Sequence, residues 1–195
     1  MIILLSGAIN SGKDTVAEFL KKNHGYHVVK FAQRLKEEAA RNSNIPLDHF
    51  EDREEKERAR ECEAFGIKAS LSPRDLAILT GMIAKIGNLH VWADSLIEEI
   101  NSHEKVVISD WRFPKELTRV AHNHPGRAVI PLEIVRPGTG HIKNGAEGRL
   151  TKTPKSYIID NIGTLEDLEK ETAYVSQCVE EWSRGDNHVS VSVDG

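Results

Sequence analysis

Apolar and polar positions along the chain follow two alternating periods. The opening "MIILLS" is an unbroken apolar run, as in a strand buried on both faces. After a glycine-rich interval, Val16, Phe19 and Leu20 recur on one helical face. "YHVVKF" predicts a second strand, and "AQRLKEEAARN" the helix after it, with Leu35 and Ala39 on its inner side. "EDREEKERARECEAF" is densely charged and helix-prone, which reads as a solvated helical face. Ser72 and Pro73 suit the cap and first turn of a helix running through "RDLAILTGMIAKI". "LHVWADSLIEEI" predicts another helix, with Val91, Leu96 and Ile100 turned inward. "KVVISD", "AVIPLEIV" and "SYIID" read as three more strands. Thr164 and Asp167 form a capping-box-like start to a last helix, whose core stripe is Leu165, Leu168, Thr172, Val175, Val179 and Trp182. The closing "GDNHVSVSVDG" alternates weakly, as an edge strand or a loose tail would.

Strands alternating with helices imply an α/β fold: a parallel sheet flanked by helices, with ligands bound beyond the carboxyl ends of the strands. A chain of 195 residues, 39% hydrophobic, suits one compact domain. The net charge of −4 offers no general basic field for nucleic acid, yet it leaves small phosphates open as ligands. Cys62 and Cys178 lie far apart without metal-ligand spacing, which suits reduced thiols and a cytoplasmic location. The first apolar run lacks a basic leader and reads as a strand rather than a signal peptide, and no apolar segment is long enough to span a bilayer. The pattern is compatible with a monomer or a homodimer.

Chemistry concentrates where strands end. "GAINSGKDT" matches the phosphate-binding loop, Gly followed by four residues and Gly-Lys-[Ser/Thr], except that Asp14 stands where the hydroxyl is usual. Gly7 and Gly12 let backbone N–H groups close on phosphate oxygens, together with Asn10 and Ser11 between them. Lys13 adds a full charge, and Thr15 can bond a phosphate at the helix start. Asp14 can serve Mg²⁺ directly or through water. Asp110 follows the strand "VVI", where a carboxylate orients Mg²⁺ or caps the next turn. Arg112, two residues on, faces the same crevice if the segment stays extended. Arg136 emerges as Pro137 and Gly138 break the next strand. From 137 to 156 the chain is rich in Gly, Lys, Arg and Thr and has no apolar period. It is a surface loop or a lid that brings Arg136, Lys143 and Arg149 over a transferring phosphoryl group.

These blocks resemble a known family. "LLSGAINSGKDTVAEFL", "FAQRLKE", "SPRDLAILTG", "VVISDWRFPKE", "IVRPG" and "YIIDNIGTLEDL" are similar, in order and over most of the chain, to the deoxynucleoside monophosphate kinases of tailed phages. They are similar more distantly to animal phosphomevalonate kinases, which share the Gly-Lys-Asp loop. The resemblance implies a P-loop nucleoside monophosphate kinase-like fold with a helical substrate-binding region over about 41–104 and a lid over about 137–156. It implies ATP as phosphoryl donor, Mg²⁺ as metal and Asp14 as a family trait. Lys13, Asp110, Arg112 and Arg136 would act in transfer. Arg34, Lys36, Arg74 and Arg112 match positions expected to hold the acceptor's phosphate, and Asn161 lies where related kinases contact adenine. Arg34 and Lys36 read equally well as surface charges.

One position departs from the family pattern. Members commonly carry Gln in the substrate helix where this chain has Ile78, and isoleucine cannot hydrogen-bond a base edge. The expected activity is transfer of the γ-phosphoryl of ATP to a deoxynucleoside 5′-monophosphate. A changed acceptor pocket keeps open a phage-type kinase acting on 5-hydroxymethyluracil in DNA. A third reading is a regulator that binds ATP without turnover.

Overall fold

The computed structural model describes residues 1–139 and 157–184. Its centre is a parallel sheet of β1 (Ile2–Ser6), β2 (His27–Val29), β5 (Val106–Ile108), β6 (Val129–Val135) and β7 (Tyr157–Asp160), in the order β2-β5-β1-β6-β7. Ile2, Ile3 and Leu4 of β1 pair with Val106, Val107 and Ile108 on one side, and Ile2 through Ser6 pair with Val129 through Glu133 on the other.

Alternation along β1 builds two cores. Ile3 and Leu5 face α1 (Lys13–His24) and α8 (Leu165–Arg184), joining Val16, Leu20, Leu168, Val175 and Val179. Ile2 and Leu4 face the other layer, which supplies Phe31 of α2 (Phe31–Ser43) and Val120 of α7 (Pro114–Asn123). Trp92 and Ala93 of α5 (Val91–Asp94) and Ile100 of α6 (Ile97–Asn101) complete it. Because both faces of β1 are covered, its sequence is apolar at every position from Ile2 to Leu5, not at every second one.

A third, smaller core lies outside the sheet. Ala39 and Ile45 meet Phe50 of α3 (Asp48–Glu51), Ala64 of β3 (Arg60–Ala64) and Leu76 of α4 (Pro73–Gly87). β3 pairs antiparallel with β4 (Ile67–Leu71). The charged run expected to be helical instead takes in only the last residue of α3, a 3₁₀ turn at Glu55–Glu57 and a hairpin strand. Asp52 Oδ1 accepts from the N–H groups of Glu54 and Glu55 and turns the chain, and Phe65 and Gly66 cross the hairpin tip at φ 54° and 74°. Two left-handed residues in succession make the turn whose twist suits a hairpin. The alternation of Glu61, Cys62, Glu63 and Ala64 before a glycine was the available signal.

Other expectations met smaller adjustments. "LHVWADSLIEEI" is two short helices, α5 and α6, although Leu96 and Ile100 are fully buried as expected. α4 begins with a capping box between Ser72 and Asp75, and Thr164 and Asp167 make reciprocal bonds at the start of α8. Leu165, counted into the α8 stripe, is exposed at the helix start. No helix among the described residues is long and apolar enough to cross a membrane. Lys143, Arg149, most of the segment 137–156 and the tail from 185 lie outside the described residues.

Candidate phosphate-transfer site

Five parallel strands end at one edge, and each delivers residues with phosphate or metal chemistry there. β1 runs into the glycine-rich loop, β2 into Lys30, β5 into Ser109 and Asp110, β6 into Arg136 and β7 into Asn161.

The loop after β1 is held by close backbone packing. Gly7 has φ +143°, and a Cβ there would lie 2.4 Å from the carbonyl oxygen of Ile134. Gly12 has φ +106° and would meet the Asn161 side chain at 2.7 Å. Asn10, also left-handed at φ 62°, turns the loop between them. Ser11 is fully buried beneath it. The N–H of Ser11 donates to Ala8 O at 3.2 Å, and the N–H of Val16 donates to Gly12 O at 2.9 Å, which joins loop to helix. Lys13 Nζ donates to the carbonyls of Gly7 and Ala8 at 2.9 and 2.7 Å, so its ammonium is drawn back over the loop. Thr15 is half-buried in the first turn of α1. The first N–H groups of this helix have no partners within it, which makes its start an anion site.

Two neighbouring strand ends brace the loop. Asn161 donates its side-chain amide to Ser11 O at 2.8 Å, while its own N–H donates to Val135 O at 2.8 Å. Arg136 Nη1 reaches Asn10 O at 3.4 Å. Residues far apart in sequence thus meet on one loop.

Asp110 lies deeper than its sequence position suggested. Its Oδ1 accepts from Phe31 N at 2.8 Å and its Oδ2 from Ala32 N at 2.7 Å, so it holds the start of α2 across the sheet. Charge-assisted bonds of this kind contribute about 1.5–3 kcal/mol each. Burial pushes its pKa up, opposed by the two amide bonds and by the charges of Arg112 and Lys30. Arg112 is exposed, since β5 ends at Ile108 and the alternation that would have put both side chains on one side ends with it. Its N–H and that of Phe113 donate to Glu116 Oε2 at 3.2 and 3.1 Å, capping α7, and burial pushes Glu116 up as well.

Lys30 was not singled out from the sequence. Its Nζ donates to Asp14 Oδ1 at 2.8 Å. Burial opposes its charge, but Asp14 and then Asp110 draw its pKa up. The signal was a lysine directly after the apolar strand "HVV", the same rule that singled out Asp110 and Arg136.

The proposed acceptor residues are not gathered in this way. Arg34 and Lys36 sit two apart on α2, about 200° around its axis. Arg34 pairs with Glu37 and Glu99 at 3.1 and 2.8 Å, and Lys36 with Glu51 at 2.9 Å. Arg74 pairs with Glu57 at 2.7 Å. Arg34 lines a cleft of about 300 Å³ that begins at Lys30 and is bounded by Val29, Gln33, Leu96 and Glu99.

The donor set suits Mg²⁺ more than a caged metal. Among the described residues no group of three or more His, Cys, Asp or Glu side chains could hold an ion. Mg²⁺ needs only one or two carboxylates, with waters and substrate phosphates completing its octahedron. Asp14 is exposed at the first turn of α1, and each Asp110 oxygen keeps a second lone pair beyond its amide bond. A cation, the Lys30 ammonium, already stands on Asp14.

No protein-family model and no curated protein matches the chain. Among solved structures it is similar to TT1252 from Thermus thermophilus, at 23% identity over 92% of this chain and 97% of that one, with a TM-score of 0.51. A gluconokinase from Sinorhizobium meliloti aligns at 16% identity over 92% and 94% of the two chains, with a TM-score of 0.49. A sugar kinase from a Janibacter species aligns at 14% over 94% and 97%, also at 0.49. The overlap with the Thermus protein shows a shared fold, an α/β parallel sheet flanked by helices.

Proposed function

We propose that the protein is an ATP-dependent kinase that transfers the γ-phosphoryl group to a deoxynucleoside 5′-monophosphate. The observation that carries the reading is the loop itself. Its left-handed Gly7, Asn10 and Gly12 wrap the chain around Lys13 at the one edge where five parallel strands end. Such a concavity of N–H groups at a helix start binds phosphate chains. The choice of acceptor rests on the joint occurrence of Gly12-Lys13-Asp14-Thr15 and Asp110-x-Arg-Phe-Pro-x-Glu116, and on the phage kinases these resemble.

In this reading the loop amides and Lys13 hold the β- and γ-phosphates. Arg136, already reaching over the loop at Asn10, adds charge where negative charge spreads in the transition state. Ile162 and Leu165, exposed beside Asn161, offer apolar surface to the adenine. Arg112 lies on the acceptor side. An ionised oxygen of the acceptor's phosphate forms the new bond to the γ phosphorus. The bond from that phosphorus to the β–γ bridging oxygen breaks, and ADP leaves with its electron pair. The nucleophile carries no proton, so no general base is required. Asp14 and Asp110 would hold Mg²⁺, which supplies neutralisation of phosphate charge.

Incubation with labelled ATP and separate acceptors tests this. Label should enter a deoxynucleoside monophosphate. Label entering only 5-hydroxymethyluracil-containing DNA, or only phosphomevalonate, would replace the acceptor. ATP bound but left intact with every acceptor would make the protein a regulator.

A further inference from the structure

Helix α4 is apolar around most of its circumference. One arc, with Leu76, Thr80 and Ala84, packs on α2 and the cores beneath it. The opposite arc carries Ile78, Leu79, Met82, Ile83 and Ile86 and continues into Leu89, each exposed by between 37% and 87%. Their spacing of three and four places them in one stripe along the helix. A helix apolar on both sides belongs between two packed layers, and among the described residues only one layer is present. Together the six side chains match or exceed the roughly 300–600 Å² that the largest apolar patch of a monomer usually spans.

We infer that this stripe is the core of a twofold interface with a second copy of the chain. Two features of the stripe select that occupant. First, an isologous interface must complement itself, and a ridge without charge does so, whereas a one-signed charged patch would repel its own copy. The only charge within the stretch 78–89, Lys85, is turned aside over the ring of Phe113 at 4.5 Å. Second, a stable dimer buries about 800 Å² per partner around an apolar centre, and six exposed apolar side chains in one stripe are suited to form such a centre. Ile78, Met82 and Ile86 form an i, i+4, i+8 ridge with a groove between them and Leu79 and Ile83. Two antiparallel copies can therefore interlock near Met82. A membrane surface is disfavoured, because amphipathic surface helices carry lysine and arginine along the polar border and α4 has only Arg74 and Lys85.

The test rests on Met82 and Ile86 and not on Ile78, the position that the resemblance assigns to the acceptor pocket, so it stands apart from the proposed activity. Sedimentation equilibrium should give twice the 21.8 kDa chain mass. Met82→Asp and Ile86→Glu should each weaken the dimer at least a hundredfold, while circular dichroism shows the same helix content. Both side chains are exposed in the single chain, so the fold has no need of them. Tyr174→Glu, which removes an exposed aromatic on the opposite layer, should leave the dimer as in the wild type. A wild-type chain that stays monomeric to hundreds of micromolar overturns the inference. So does a dimer that survives both α4 substitutions or is lost equally with Tyr174→Glu. Co-sedimentation of a monomeric chain with phosphatidylcholine vesicles would assign the stripe to a lipid surface instead.

Discussion

The phosphate loop and the small unit built on α3, the β3–β4 hairpin and the start of α4 are held by different forces. The loop is fixed by backbone. Gly7 lies against a carbonyl of β6, Asn161 spans from β7 to Ser11, and both strands belong to the central sheet. That unit rests on the small separate core, and two cations on and beside it are paired with exposed carboxylates: Arg74 with Glu57, and Lys36 of α2 with Glu51. Exposed pairs of this kind stabilise by about 0–1 kcal/mol and exchange readily. A backbone cradle is formed before any ligand arrives, as phosphate transfer requires. If these cations serve the proposed acceptor site, weak pairs would let them be redirected to an acceptor at small cost.

The sharpest way to break this contrast is Lys13→Ala. If the loop is a transfer site, turnover should fall at least about a hundredfold, the scale of losing one electrostatic stabiliser of a transition state. Thermal unfolding should be nearly unchanged. Near-normal turnover in a folded variant would remove the loop from the chemistry.

The backbone claim is tested by two glycines. Gly7→Ala forces a Cβ against the Ile134 carbonyl at a strained φ, and should cost more than about 2 kcal/mol in urea unfolding together with ATP binding. Gly12→Ala is also strained, at φ +106°, but its close contact is the Asn161 side chain rather than backbone, so it should cost less, with the Asn161–Ser11 bond lost as that side chain moves. Equal losses would show that packing against β6 is not what shapes the loop.

Arg112→Lys should raise the acceptor KM by an equivalent of about 1.5–3 kcal/mol, because a point charge cannot reproduce a forked contact. ATP affinity should stay near wild type. If it falls equally, Arg112 belongs to the donor side and the proposed acceptor site is misplaced.

Asp14 ties the first turn of α1 to the end of β2 through Lys30. Asp14→Ala should raise the Mg²⁺ concentration needed for half-maximal turnover several-fold, and Asp14→Ser should recover part of that by supplying the usual hydroxyl. Isothermal titration of Mg²⁺ in the presence of ADP gives the same comparison without turnover. An unchanged titration would leave Asp14 as a first-turn acid stabilising α1 through its dipole.

The smallest effect concerns the packing of α5 on α7. Arg119, then Asn88 and Asn123, hold the Asp94 carboxyl well below the usual range. A depressed folded pKa means stability that is complete above about pH 4 and lost as pH falls through the folded value. Asp94→Asn should therefore cost about 1 kcal/mol at pH 7, and the gap to wild type should close in urea melts below pH 3. A constant gap would assign the effect to packing.

Continuous apolar runs such as "MIILLS" and "KVVI" can be satisfied only between two layers, so the parallel sheet and its flanking helices were legible in the sequence alone. The loop was legible because its chemistry is local: glycine, lysine and the helix start lie within nine residues. Long-range partners were not. That Asp110 would spend both oxygens on the start of α2, that Asn161 would brace Ser11, and that Lys30 would stand on Asp14 depended on strands distant in sequence ending side by side. The charged run 51–64 failed for a related reason. Its helix propensity is a weak local preference, and burying Ala64 with Leu76 and Phe50 outweighs it. Local geometry is written in neighbouring residues, whereas the direction of a side chain at a strand end is decided by whatever the sheet brings beside it.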